Sequence, residues 1–173
     1  MSGKHISSQF DTELNAISTR VMEMGGLVEV QLRDAITALS DMDSEVAQAV
    51  IEREVDVNNF ELELDRDISS IIGRRQPTAR DLRLLMAMSR TTNNLERAGD
   101  EVAKMARMVK SIIASGDARS LPISELHTAS ELASQLLRKS LDAIARLDIH
   151  MALTIIKEDD LIDREYNGFL RKL

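Results

Sequence analysis

Apolar residues return every three or four positions along most of the chain, the spacing of one helix face and not of a strand. The first stripe runs Ile6, Phe10, Leu14, Ile17, Val21, Met24, Val28, Leu32, Ala35 and Leu39. It predicts one long helix, with a kink or a close contact at the pair Gly25-Gly26. Asp43 or Ser44 then caps a second helix, whose inward positions are Val46, Val50, Val57, Leu64, Ile68 and Ile71. Gly73 and Pro77 are expected to end it. Thr78 and Asp81 have the form of a capping box, in which each side chain accepts a bond from the other's backbone amide. The third helix starts there and carries a clean heptad: Leu85, Thr92, Gly99, Ala106 and Ile113 in one core row, Met88, Leu95, Val102 and Val109 in the other.

The stretch ASGDARSLPIS (114 to 124) is the one convincing linker, rich in Gly, Ser and Pro. Beyond it a fourth helix is expected from about Pro122 to Leu147 and a fifth from about His150 onward. These two repeat what came before. At an offset of 105 residues, LRDAITALSDMDSEVAQAVIEREVDVN (32 to 58) lies on LRKSLDAIARLDIHMALTIIKEDDLID (137 to 163). Six pairs are identical, among them Arg33/Arg138, Asp43/Asp148 and Ala47/Ala152, and seven more keep their character, among them Met42/Leu147, Val50/Ile155 and Glu54/Asp159. Two hairpins obeying one packing pattern would match at apolar positions; duplication also accounts for the shared Asp and Arg. The expected fold is all-α, a tandem repeat of antiparallel three-helix bundles: residues 1–115 form the first, and 116–173 form a second that lacks its last helix. The copy of the third helix would fall at about 183 to 218, beyond Leu173. Uncovered faces on the fourth and fifth helices favour pairing with another chain, so a homodimer is expected.

Composition agrees with long helices. Of 173 residues 43% are hydrophobic and 29% charged, only 2% are aromatic, and Gly (7) and Pro (2) are scarce. A net charge of -7 disfavours nucleic acid, whose binding depends on clustered Lys and Arg. No cysteine is present, which excludes disulfides and thiolate metal sites. No apolar run reaches the length of a membrane span, and MSGKHISSQF lacks a signal-peptide core, so a cytoplasmic location without membrane insertion is the expectation. His5, His127 and His150 have no HExxH context, and no phosphate-binding glycine loop or nucleophile elbow occurs.

One segment of the third helix, LERAGD (95 to 100), sets Glu96 and Asp100 one turn apart with Gly99 between them. Like charges at that spacing repel by a few tenths of a kcal/mol. On the heptad, Leu95 and Gly99 face inward, where a residue without a Cβ admits a neighbouring helix, and the carboxylates lie along the edge. Lys104, one turn further, offers an ordinary ion pair to Asp100. The alternative is a cation held by oxygen ligands, since carboxylates suit Mg and accept Mn, Zn or Fe. For the second helix two frames compete: Glu52 with Asp56, or, by the repeat, Glu54 with Asn58, whose copies are Asp159 and Asp163. Residues two apart point about 200° apart, and Glu54 is the one on the side of Val50.

The segments RRQPTARDLR (74 to 83), NLERAGDEVAKMAR (94 to 107) and KHISSQFDTEL (4 to 14), with the duplicated acidic helix, resemble the PhoU family over essentially all 173 residues. The resemblance implies two tandem three-helix bundles and a cytoplasmic negative regulator of the phosphate-starvation response. It implies an adaptor between the ATP-binding subunit of the phosphate ABC transporter and the phosphate sensor histidine kinase, without catalysis. It further implies metal clusters on E(D)xxxD motifs, which nominates Glu54, Asn58, Glu96, Asp100, Asp159 and Asp163; Asn58 departs from the motif, being neutral where an Asp is expected. Two rival readings are a metal-dependent hydrolytic enzyme, which needs an enclosed coordination site, and a structural helical scaffold whose acidic pairs meet basic partner surfaces.

Overall fold

The computed structural model describes the backbone of residues 2–116 and 123–170, and the side chains of 8–116, 124 and 126–159. Five helices follow in order: α1 (Ser2–Asp41), α2 (Ser44–Arg75), α3 (Ala79–Ser115), α4 (Ile123–Arg146) and α5 (Ile149–Leu170). No strand occurs among the described residues, and the protein is all-α. Most of the expected linker, residues 117–122, lies outside the described residues.

The turns explain where the helices stop. Met42 and Leu147 both adopt the left-handed conformation, each with φ 51°. In both turns the next amide reaches back five residues, Asp43 N to Ala38 O at 3.0 Å and Asp148 N to Ala143 O at 2.9 Å. This is the Schellman closure of a helix. The same aspartate then opens the following helix. Asp43 Oδ1 accepts from the amides of Glu45 (2.8 Å) and Val46 (3.0 Å), and Asp148 Oδ1 from that of Met151 (2.9 Å). Apart from the Glu45 amide, every one of these positions is related by the 105-residue offset, so the repeat is written into backbone geometry as well as sequence.

Two expectations are corrected at the α2–α3 turn. α2 runs through Gly73 to Arg75 and stops at Gln76, with φ 47°. Pro77 is the cause, because its ring disfavours the right-handed helical region for the residue before it. At the start of α3, Thr78 Oγ1 donates to Asp81 Oδ2 at 2.9 Å, side chain to side chain, in place of the reciprocal amide bonds expected there. Asp is one methylene shorter than the Glu or Gln that reaches back in a full capping box.

Contacts divide the chain into two compact units: Met1–Val28 with Arg53–Glu101, and Glu29–Glu52 with Val102–Leu173. In the first, Ile17, Val21, Met24 and Val28 of α1, Val57, Leu64, Ile68 and Ile71 of α2 and the heptad residues Leu85, Met88, Thr92 and Leu95 of α3 are all buried. Each such aliphatic side chain contributes about 1.5–3 kcal/mol by leaving water. Gly25 is buried, whereas a Cβ on Gly26 would meet nothing within 4 Å, so the expected close contact does not involve Gly26. Arg20 grips α2 at Glu63 (2.5 Å) and Asp67 and lies 6.0 Å from the Phe60 ring centroid. Arg75 makes a two-pronged bond to Glu13, at 2.9 and 2.8 Å. That bond, with the positive charge of Arg75 and Arg74 beside it, holds the Glu13 carboxyl below its ordinary value against the opposing effect of burial.

In the second unit Ala35, Ala38 and Leu39 of α1, Ala47 and Val50 of α2, and Val102, Ala106 and Val109 of α3 form one cluster, with Leu126 of α4 packed against it. Gln31 is buried in this unit, its Nε2 donating to Val50 O at 3.2 Å while its Oε1 has no partner. Arg138 of α4 donates to Glu29 of α1 at 2.9 Å, and Lys139 pairs with Glu158 of α5 at 2.6 Å.

Candidate functional site

The carboxylates of the third helix are not equivalent to an ordinary solvated pair. Glu96 is partly buried, and its carboxyl is held above its ordinary value, first by loss of water and then by the negative charge of Glu61, Asp100 and Glu54; Arg97 opposes the shift without cancelling it. All of these belong to the first unit. The heptad puts Leu95 and Gly99 in the core, which leaves Glu96 half-sunk at the edge, facing the acidic side of α2. The result is concentrated negative charge around one partly desolvated carboxyl group.

The candidate residues fall as follows. Glu54 and Asp100 are partly buried and act on Glu96 through their charge, and Asn58 is exposed. Glu52, accepting from Gln48 Nε2 at 3.0 Å, and Asp56 are both exposed, so Glu54 is the carboxylate of α2 that turns toward the bundle. Asp159 on α5 is exposed, and the side chain of Asp163 lies outside the described residues. Glu61 was absent from the sequence reading. It lies 35 positions before Glu96, on another helix, so no spacing rule along one helix connects them.

As a seat for a cation, the cluster fits in chemistry but not in arrangement. Its oxygen donors and surplus charge suit a hard metal ion. Yet among the described residues no group of three or more His, Cys, Asp or Glu stands in a position to hold one. The carboxylates share an electrostatic field without sharing a ligand point.

Beside the cluster, in the same unit, a groove of about 480 Å³ is lined by Glu61 and Asp65 of α2 and by Ser89, Arg90, Thr92 and Asn93 of α3. Asn93 Nδ2 donates to Glu61 Oε1 at 3.3 Å, and Thr92 is buried with its hydroxyl donating to Met88 O at 2.9 Å. Polar groups of both signs therefore line the groove.

Comparison with known proteins gives one consistent answer. Residues 21–109 match the PhoU domain. The chain is 46% identical over 170 residues to the phosphate-specific transport system accessory protein PhoU of Escherichia coli, covering 98% of this chain and 70% of that protein. It is 40% identical over 169 residues to the PhoU homolog of Pseudomonas aeruginosa, covering 98% and 69%. The crystal structure of PhoU from Pseudomonas aeruginosa superimposes with a TM-score of 0.90 at 37% identity, over 94% of this chain and 78% of that one. The phosphate transport system regulatory protein PhoU from Streptococcus pneumoniae gives a TM-score of 0.84 at 25% identity, over 92% and 74%. With half the chain matching the family's domain and nearly all of it aligned to these relatives, the protein belongs to the PhoU family.

Proposed function

We propose that this protein regulates phosphate transport as a cytoplasmic negative regulator of the phosphate-starvation response. It acts as an adaptor, not an enzyme, between the ATP-binding subunit of the phosphate ABC transporter and the phosphate sensor histidine kinase. The observation that carries this reading is 46% identity, across 98% of the chain, to a protein named for the phosphate-specific transport system. The long helices support it by offering extended surfaces to protein partners, and no helix among the described residues is long and apolar enough to cross a membrane. In this reading residues 1–115 make one three-helix bundle and 116–173 contribute helices to the second, and the protein works as a homodimer.

The cation part of the reading stands apart. Mg, Mn, Zn or Fe held by Glu54, Asn58, Glu96 and Asp100, or by Asp159 and Asp163, requires these side chains to draw together around the ion. The adaptor reading is tested by calorimetric titration of the chain against the transporter's ATP-binding subunit and against the cytoplasmic part of the kinase. Binding to both is expected; binding to neither would end the reading.

A further inference from the structure

The chain carries seven more acidic charges than basic ones, and across its helices cations find acids: Arg20 holds Glu63 and Asp67, Arg75 holds Glu13, and Arg138 holds Glu29. On the outer face of α3 this pattern breaks. Arg80, Arg83 and Arg90 are exposed, and among the described residues none of their side chains makes a hydrogen bond or an ion pair. Arg80 stands in the first turn of α3, at the positive end of the helix dipole, where a cation is unfavourable.

Arg83 and Arg90 are seven residues apart and are followed at the same interval by exposed Arg97, so they form a straight row at steps of about 10 Å. The row lies opposite the buried Leu85, Met88 and Thr92. Met86, 45% exposed, lies beside the row, and Leu82, 37% exposed and one turn earlier, stands at its edge. Cations at seven-residue spacing beside an apolar edge are what a second helix laid alongside would match with acids at the same interval.

We propose that this face of α3 is a docking surface for an acidic helix of a protein partner, with Arg83 and Arg90 meeting its carboxylates and Leu82 and Met86 its apolar side chains. Charge complementarity selects the occupant. An anionic membrane is the other surface that attracts arginines, but Glu61 and Asp65 lie in the groove beside Arg90. A flat sheet of negative headgroups would meet those carboxylates together with the arginine, whereas a helix ridge can match the basic row alone.

This inference rests on the adaptor reading and names the chemistry of one of its contacts. Its test is calorimetry of the R83E/R90E variant of the full chain, beside the unaltered protein, against the transporter's ATP-binding subunit and the kinase's cytoplasmic part. Vesicles containing phosphatidylglycerol serve as a third probe. At least one protein partner should bind the variant tenfold or more weakly, the affinity of the unaltered chain should fall with added salt, and R83K/R90K should retain most of the binding. The helical circular dichroism should not change, because both arginines are exposed and, among the described residues, their side chains are unpaired. Unaltered binding of R83E/R90E to both proteins would overturn the docking surface and leave the adaptor reading intact. Failure of the unaltered chain to bind either protein would end both. Loss of vesicle binding alone would assign the row to a membrane and overturn the proposal.

Discussion

The two hairpins related by 105 residues share a turn but not an interior. Met42 and Leu147 adopt the same left-handed conformation, and Asp43 and Asp148 make the same closing bond and share the opening bond to the amide three residues on. Around them burial diverges. Ala47 and Val50 are fully buried against Val102, Ala106 and Val109 of α3, whereas their copies Ala152 and Ile155 are only partly buried. Met42 packs against that cluster, while Leu147 is 64% exposed; Ile51 packs there too, while its copy Ile156 is 62% exposed. Turn geometry is therefore settled within about ten residues of sequence, whereas burial depends on a third helix that only the first hairpin has among the described residues.

The largest test of this contrast is truncation inside each copy. Leu39→Ala, in the buried cluster, should cost about 3 kcal/mol, and Ile144→Ala, at the partly buried copy, under half as much, read from denaturant midpoints. Equal losses would erase the difference between the hairpins. Next come the caps, which are local and should respond alike: Asp43→Ala and Asp148→Ala should each cost about 1 kcal/mol. Asp43, with two amide bonds against one, should lose slightly more.

Replacing the left-handed residues should split the copies by sign. Leu147→Gly removes a backbone cost of about 1 kcal/mol, partly offset by the greater freedom of glycine in the unfolded chain, and sacrifices almost no packing. Thermal melting should move up. Met42→Gly relieves the same backbone but strips a side chain from the cluster, so it should be neutral or destabilising.

The smallest effect concerns the acidic edge, where Glu54 sits in the field of Glu96 and its copy Asp159 is exposed. Because the folded protein holds the Glu96 proton more tightly than the unfolded chain does, stability falls as pH rises from the ordinary carboxylate value through the raised one. It stays lowered above that value. Glu96→Gln should gain a few tenths of a kcal/mol at pH 7, and the gain should vanish below the ordinary carboxylate value. Glu13, shifted the other way by Arg75, contributes stability above the ordinary carboxylate value that is lost as pH falls through its lowered one.

Periodicity read most of the interior correctly because burial in a long helix is a property of spacing. Leu85, Met88, Thr92, Leu95, Val102, Ala106 and Val109 of the α3 heptad are all buried, even the polar Thr92. Gln31 was passed over between Val28 and Leu32 because a polar residue does not register in an apolar stripe, although its position three beyond Val28 and four before Ala35 puts it on the same face. The acidic site was half legible: the pairs Glu96/Asp100 and Glu54/Asn58 follow from i, i+4 spacing and the repeat. The partial desolvation of Glu96 and the charge of Glu61 depend on how two helices pack. The arginine row was arithmetically visible at positions 83, 90 and 97, but spacing alone does not show that Arg83 and Arg90 lack side-chain partners among the described residues.

The most direct test of the regulatory role is a reporter for phosphate-starvation genes in cells that lack this protein, grown with ample phosphate. High expression, restored to low by supplying the protein, is the predicted result. Expression that stays low without the protein would contradict the account.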